Sequence, residues 1–249
     1  MQTLSYGPHP EQVADLRLPD AAPPDGRGHP VAVVLHGGFW RARYGREGGE
    51  AQAVDLAASG WATLNVEYRR LDLDGGWPTT GGDVLAALAL LADRAAEDRL
   101  DLARIVPIGH SAGGQLALWA AAAGAGRPGA PTGAVSLGGV VDLDRAHALR
   151  LGDGVVERYL GGTPAERPDA YADASPRARL PLGVPTLLVH GGADDIVPAS
   201  LSEDVAAAAV AAGDDVTLRV RPGDDHFVLT EPGSPAWAEV TGWLAERFA

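Results

Sequence analysis

Residues 109–114 read Gly109-His110-Ser111-Ala112-Gly113-Gly114, a serine with a glycine two positions away on either side. An apolar run, 104–109, precedes it and a helix-forming run, 112–124, follows it. That order suits a serine nucleophile on a sharp strand-to-helix turn. A side chain at either flanking glycine would strike neighbouring backbone, and the hydroxyl is presented at the end of the strand. A helix starting at Ala112 aims its N-terminal amides at negative charge developing on a bound substrate. The plain alternative is a glycine-rich turn with a surface serine. The strand–turn–helix setting favours the nucleophile, and His110, which points away from the hydroxyl, is expected in the pocket wall.

A second glycine-bearing turn, His36-Gly37-Gly38-Phe39-Trp40, closes the first strongly apolar run, 31–36. Two glycines let backbone N–H groups turn inward with no Cβ in the way. Such donors would face the Ala112 amide across the serine and hold an oxyanion between them. His36 itself suits bracing this loop better than proton transfer.

A serine nucleophile needs a base, and the base needs a carboxylate to orient it. The run TLLVHGGADDIVP leaves Asp194 and Asp195 in the loop after an apolar strand, and RPGDDHF leaves His226 in the loop after the next one. Loops at the carboxyl ends of neighbouring parallel strands converge, so all three groups can meet. Of the seven histidines only His226 has this placement. His9 and His29 fall in polar loops taken as exposed, His147 in a strandless segment, and His190 at the end of a buried strand, where it packs. Spacing alone does not separate Asp194 from Asp195.

The elements that must hold these groups alternate along the chain. Strands are predicted at 13–19, 31–36, 61–68, 104–109, 133–139, 186–191 and 216–220. Helices are predicted at 50–60, 79–99, 112–124, 201–212 and 237–248. The pattern is that of an α/β domain with a mostly parallel sheet covered on both faces. A polar Pro/Gly loop spans 20–30. Residues 140–183 break the alternation with short helical pieces around 142–149 and 155–160, and a long excursion of this kind suits a cap or lid. Pro107 removes a ladder donor from a central strand, which predicts a local bulge there.

The chain has 249 residues, enough for a single domain over 1–249 with a full core. Twenty basic residues against 33 acidic ones give a net charge of −13, which argues against nucleic acid or an anionic membrane as partner. All the basic residues are arginine, so a Walker A loop, a Schiff-base lysine and a Ser-Lys dyad are excluded. With no cysteine, thiolate metal sites, disulfides and cysteine nucleophiles are excluded too. No signal-type or membrane-spanning apolar run occurs, so a cytoplasmic location is expected. The Asp72-Leu73-Asp74-Gly75-Gly76 stretch lacks the other calcium ligands and reads as a solvated turn. Asp142 and Asp144 read as helix-start residues. No histidine pair has metal spacing and no G-x-G-x-x-G occurs. Trp40 and Trp77 are the tryptophans expected at the substrate pocket.

Taken together, HGGFW, GHSAGG, H-G-x-x-D-x-x-V-P over 190–198 and the late D-H-F resemble the α/β-hydrolase serine esterases. The likeness is to the small bacterial branch near hormone-sensitive-lipase-like, feruloyl-esterase-like and kynurenine-formamidase-like enzymes, and it covers essentially the whole chain. It implies an α/β-hydrolase fold with Ser111 as nucleophile, His226 as base and Asp194 as acid, Asp195 taking the variable position. It also implies Gly38, Phe39 and Ala112 as oxyanion donors, and no metal or organic cofactor. Where lipase-like members have a third glycine, Phe39 stands here with Trp40 beyond. This aromatic pair is nearer the formamidase type and would wall the acyl side. The expected activity is carboxylester hydrolysis, with aryl-formamidase second and an acyl-peptidase third, and a non-catalytic binding protein on the same fold is the alternative of another class. A small-molecule ester or formamide is the expected partner; oligomeric state is left open.

Overall fold

The computed structural model describes residues 1–23 and 26–248, so positions 24 and 25 of the predicted 20–30 loop lie outside the described residues. One eight-stranded sheet runs through the molecule, built from β1 (Gln2–Ser5), β2 (Val13–Arg17), β3 (His29–Leu35), β4 (Ala62–Val66), β5 (Leu100–His110), β6 (Ala134–Leu137), β7 (Thr186–Gly191) and β8 (Val216–Arg221). The spatial order is β1-β2-β4-β3-β5-β6-β7-β8. β2 pairs antiparallel with β1 and β4, and every later pairing is parallel. β1 is polar and exposed, with no apolar run to betray it in the sequence; it is fixed by its ladder to β2.

Among the described residues the α-helices are α1 (Glu50–Ala58), α2 (Thr79–Asp98), α3 (Ala112–Ala123), α4 (Leu143–Ala148), α5 (Leu151–Leu160), α6 (Pro168–Ala174), α7 (Ser200–Ala212) and α8 (Pro235–Phe248). They cover both faces. Val31, Val33 and Leu35 of β3 belong to one buried cluster with residues of α2, α3 and α7, and Ala32 and Val34 to a second cluster with residues of α1 and α8. Successive strand side chains point to opposite faces, so a strand covered on both sides must be apolar throughout. This is why β3 and β7 appear in the sequence as unbroken hydrophobic runs.

Parallel strands with helical crossovers put all their carboxyl ends on one edge. The chain runs from β3 outward to β4 and returns to β5 on the other side of β3, so the strand order reverses between β3 and β5. Crevices in such sheets form at that reversal. The loop after β3 and the turn after β5 flank it directly.

Pro107 sits in regular register with Val33, with its neighbours Val106 and Ile108 opposite Ala32 and Val34. The expected bulge is not at Pro107. The irregularity lies upstream, between His29 and Val31, where the partners jump from Leu100 to Ile105. Pairing to β6 begins one residue past the proline, at Ile108 with Val135. His29, expected in an exposed loop, is buried at the start of β3.

The strandless segment 140–183 is helical. Asp142 caps α4, its side chain accepting from the Arg145 amide at 3.1 Å. In α5 the residues Gly152, Asp153 and Gly154 have left-handed φ of 56°, 58° and 77°, so the regular turns start at Val155. The segment is rooted in the main core through Val141, Leu143, Val156, Tyr159 and Tyr171.

Candidate active site

Ser111 follows the last residue of β5 and precedes α3 with φ 56° and ψ −118°, backbone that a non-glycine residue rarely adopts. Its amide donates to Leu137 O at 2.8 Å, and its carbonyl accepts from the amides of Gly114 and Val140. Both flanking glycines are required by contact. A Cβ on Gly109 would lie 1.9 Å from Gly113 O, and one on Gly113 would lie 2.0 Å from Leu35 O. The tight spacing of strand, turn and helix therefore forces the glycines, and the turn holds the serine in strained geometry at the sheet edge.

A cavity of about 550 Å³ opens over this turn. Ser111, His110, His226, Gly37, Gly38 and Phe39 line it. Gly37 abuts the serine, since a Cβ there would come within 3.1 Å of Ser111 Cβ. Gly38 and Phe39 both have left-handed φ, 106° and 51°. Among the described residues their amides donate no hydrogen bond. Ala112, the first residue of α3, is buried beside Ser111.

His226 stands in the loop after β8, its Nδ1 2.6 Å from Asp194 Oδ2. The same carboxylate is held from its other side, Oδ1 accepting from the amides of Ile196 at 2.9 Å and Val197 at 2.8 Å. Burial pushes the Asp194 carboxyl up, but the bonds from His190, His226 and the Val197 amide outweigh it and hold the group well below the usual carboxylate range. Asp195 is exposed and takes no part in this arrangement. Ser111 and His226 share the cavity wall, but no hydrogen bond joins them in this structure. His110 Nε2 lies 2.9 Å from His226 O, and the two rings are 4.5 Å apart. Burial, then the neighbouring His226, pushes the His110 imidazole down to about 3.

Both tryptophans expected at the pocket lie elsewhere. Trp40 is fully buried; its left-handed backbone, φ 54°, sends the ring inward, where it stacks on Tyr159 at 4.0 Å and donates to Gln115 Oε1 at 3.2 Å. Trp77 packs edge-on against Trp119 and donates to Asp173 Oδ2 at 3.0 Å, anchoring the 140–183 segment. Of the aromatic pair after the two glycines, Phe39 alone reaches the cavity. Among the described residues no group of three or more His, Asp or Glu side chains is arranged to hold a metal. No helix of the described residues is long and apolar enough to cross a membrane.

The comparisons with known proteins fit this geometry. Residues 15–208 match the sequence profile of the BD-FAE family, well over half of the chain. The chain belongs to the BD-FAE family. Esterase LipC of Mycobacterium tuberculosis is 29% identical over 210 residues, 78% of this chain and 51% of LipC. The chain spans about half the length of the curated relatives it matches. Among solved structures, a truncated carbohydrate esterase from gut microbiota superposes with a TM-score of 0.83 at 20% identity, covering 99% of this chain and 96% of that one. The propionate-bound esterase Est2 of Thermogutta terrifontis gives 0.79 at 21% identity, covering 98% and 92%. The fold is that of the α/β-hydrolases.

Several residues of this BD-FAE chain that shape the site escaped the sequence reading. His36 does brace its loop, its Nδ1 2.8 Å from Gly37 O and its Nε2 2.9 Å from Glu67 Oε1. Glu67 is buried and also takes the Arg46 amide at 3.0 Å. A carboxylate ending an apolar strand run was the available signal, because a buried charge needs a partner. Arg41, Arg43, Tyr44, Glu47, Gly152, Ile196 and Phe227 also line the cavity. Nothing in their spacing marks them, since they meet only through the loop connections.

Proposed function

We propose that the chain is a serine carboxylesterase working through Ser111, His226 and Asp194. The observation that carries this reading is the 2.6 Å contact of His226 Nδ1 with the buried, ionised Asp194, in the wall of the cavity that Ser111 enters from strained backbone. A binding role requires none of these three features. That LipC and the Thermogutta protein are named esterases supports an ester as substrate.

Ser111 Oγ attacks the ester carbonyl carbon while its proton passes to His226 Nε2. Asp194 keeps the Nδ1–H tautomer and stabilises the imidazolium that forms. The amides of Gly38, Phe39 and Ala112 receive the oxyanion, the first two from the loop after β3 and the third from the N-terminus of α3. His226 protonates the departing alkoxide, and a water molecule repeats the sequence on the acyl-enzyme. The serine–histidine hydrogen bond tightens when substrate fills the cavity, as catalytic contacts that are long in empty sites commonly do. Residues 140–183 act as a cap that bounds substrate size through Gly152, within one α/β-hydrolase domain. No cofactor enters the scheme. Burial of Trp40 in the core takes away the paired aromatic wall that argued for a formyl group, so the ester reading leads.

Fluorophosphonate labelling of the chain and of Ser111→Ala, beside turnover of 4-nitrophenyl esters of graded acyl length and N-formylkynurenine, tests the reading. Labelling lost in Ser111→Ala, with ester turnover, is the expected result. Absence of labelling in the unaltered chain sinks it, and formamide turnover far above every ester moves the activity to the second class.

A further inference from the structure

The cavity that Ser111 lines also carries charged side chains that the proposed reaction does not use. Residues 41–46 carry three arginines in a chain whose acidic residues outnumber its basic ones by 33 to 20. Arg46 is consumed by Asp15, 2.7 Å away. Arg41 is tied across the cavity mouth to Gly152 O at 2.5 Å and lies 3.7 Å from the exposed Asp153. Arg43 differs. It is exposed, it lines the cavity, and its guanidinium rests 4.8 Å from the centre of the Tyr44 ring. Among the described residues it makes no ion pair.

A guanidinium stacked on an aromatic face is held in place with its planar fork of donors free, and such a fork matches a carboxylate. One carboxylate, Glu47, lines the same cavity, but its Oε1 accepts the Gly45 amide at 3.0 Å. The remaining positions nearby, Gly45 and Gly48, bring no side chain between the arginines and the cavity floor. Glu47 keeps its charge, so among the charged residues lining this space of about 550 Å³ two arginines stand against one carboxylate, and the space is far more than a small acyl group needs.

We infer that Arg43, on its Tyr44 platform, is a binding site for a carboxylate carried by the substrate remote from the scissile ester, so that the preferred substrates are monoesters of dicarboxylic acids or esters of carboxylate-bearing alcohols. This inference rests on the esterase reading above. Arg43 touches no reacting atom and acts on substrate choice.

The test pairs charged and neutral esters of similar length. On the acyl side these are mono-4-nitrophenyl adipate and 4-nitrophenyl heptanoate; on the alcohol side, 4-acetoxybenzoic acid and its methyl ester. The ratio of kcat/KM, charged over neutral, is expected above one in at least one pair at low salt and to fall as salt is added, because an exposed charge contact is screened. In Arg43→Gln that ratio is expected to drop about two- to five-fold, through KM, the scale of a solvent-exposed charge pair. Arg43→Lys should restore part of it. Turnover of the neutral esters with a ratio that Arg43→Gln leaves unmoved in both pairs overturns the inference while the esterase reading stands. Failure of every ester, with no fluorophosphonate labelling, overturns both.

Discussion

His190 Nε2 stands 3.3 Å from Asp194 Oδ2, the same oxygen that meets His226 Nδ1 at 2.6 Å. The His190 ring is fully buried, its Nε2 also 2.8 Å from Val197 O and its Nδ1 2.7 Å from Ser202 Oγ. A carbonyl only accepts, so the proton sits on Nε2 and the Ser202 hydroxyl donates to Nδ1. His190 thus braces Asp194, the proposed orienting acid, both by this 3.3 Å contact and through Val197, whose amide donates to Asp194 Oδ1. His190→Gln is expected to lower kcat about ten- to hundred-fold, the scale of one lost bond to a charged group at ~1.5–3 kcal/mol, with KM nearly unchanged. Steady-state kinetics on a 4-nitrophenyl ester reads this. An unaltered kcat would mean that the Ile196 and Val197 amides hold Asp194 without help.

The elbow glycines give a stability prediction with an internal control. Ala at Gly109 or Gly113 brings Cβ within about 2 Å of backbone, where no side chain can yield, so neither variant is expected to fold. Gly82 in α2 and Gly242 in α8 have open space around them. Ala at either is expected to stabilise by ~0.5–1 kcal/mol through helix propensity. Urea unfolding followed by circular dichroism checks all four. A cooperative transition in Gly109→Ala at the wild-type midpoint would refute the close packing of strand, turn and helix.

Strain at Ser111 makes a separate claim. Its φ of 56° suits glycine, so Ser111→Gly is expected to abolish turnover while raising stability by ~1 kcal/mol or more. Ser111→Ala keeps the strained backbone and is expected to lose turnover by about 10⁴-fold with little change in stability. A destabilised Ser111→Gly, measured by urea unfolding, would show that the serine's backbone is at rest.

Acid should weaken the fold through His110. Burial holds its folded imidazole down to about 3, whereas the unfolded chain takes up that proton near the usual value of ~6.5. Between those limits the unfolded state binds more protons, so stability falls as pH falls from about 6.5 toward 3. Asp194, held low in the folded state, adds a further loss as pH falls through and below the ordinary carboxylate range. His110→Gln keeps a donor for His226 O and removes the titration. Its unfolding free energy is expected to depend less steeply on pH between 6.5 and 4 than that of the unaltered chain, and equal slopes would mean that other groups carry the acid sensitivity.

The contrast between Ser111 and Trp40 explains how far the sequence could be read. The tight turn at Ser111 was legible because it depends on local backbone: the two glycines, the strand that ends before them and the helix that starts after them are contiguous in the chain. The placement of most sheet strands was legible for a similar reason, β3 and β7 above all being continuous apolar runs between turn residues, whereas their spatial order was not read from the sequence. Trp40 was misplaced because its direction depends on partners far away in the chain, Gln115 and Tyr159, and on a left-handed backbone that no residue type announces. Glu67 escaped although a charge at the end of an apolar run marked it, because its partners His36 and Arg46 lie in other elements. The polar edge strand β1 escaped because its pairing, and not its hydrophobicity, makes it a strand.

Adjacent aspartates in the loop after β7 supply the last test. Asp194 is enclosed, its two oxygens accounted for by His226, His190 and the amides of Ile196 and Val197. Asp195 is exposed, and no hydrogen bond or ion pair fixes its side chain among the described residues. Neighbouring residues in a turn leave the backbone in different directions, so only one of the pair reaches Nδ1 of His226. Asn at position 194 offers an amide N–H where an acceptor is needed. It turns the imidazole to the wrong tautomer, a change that costs up to ~10⁴-fold in kcat in a Ser-His-Asp arrangement. Asn at 195 removes only a solvated charge. Asp194→Asn is therefore expected to cut kcat by about three to four orders of magnitude, and Asp195→Asn by less than about tenfold, the equivalent of 1.4 kcal/mol. Equal losses in the two variants would give the pair a shared structural role in the loop, and the reverse order would make Asp195 the acid.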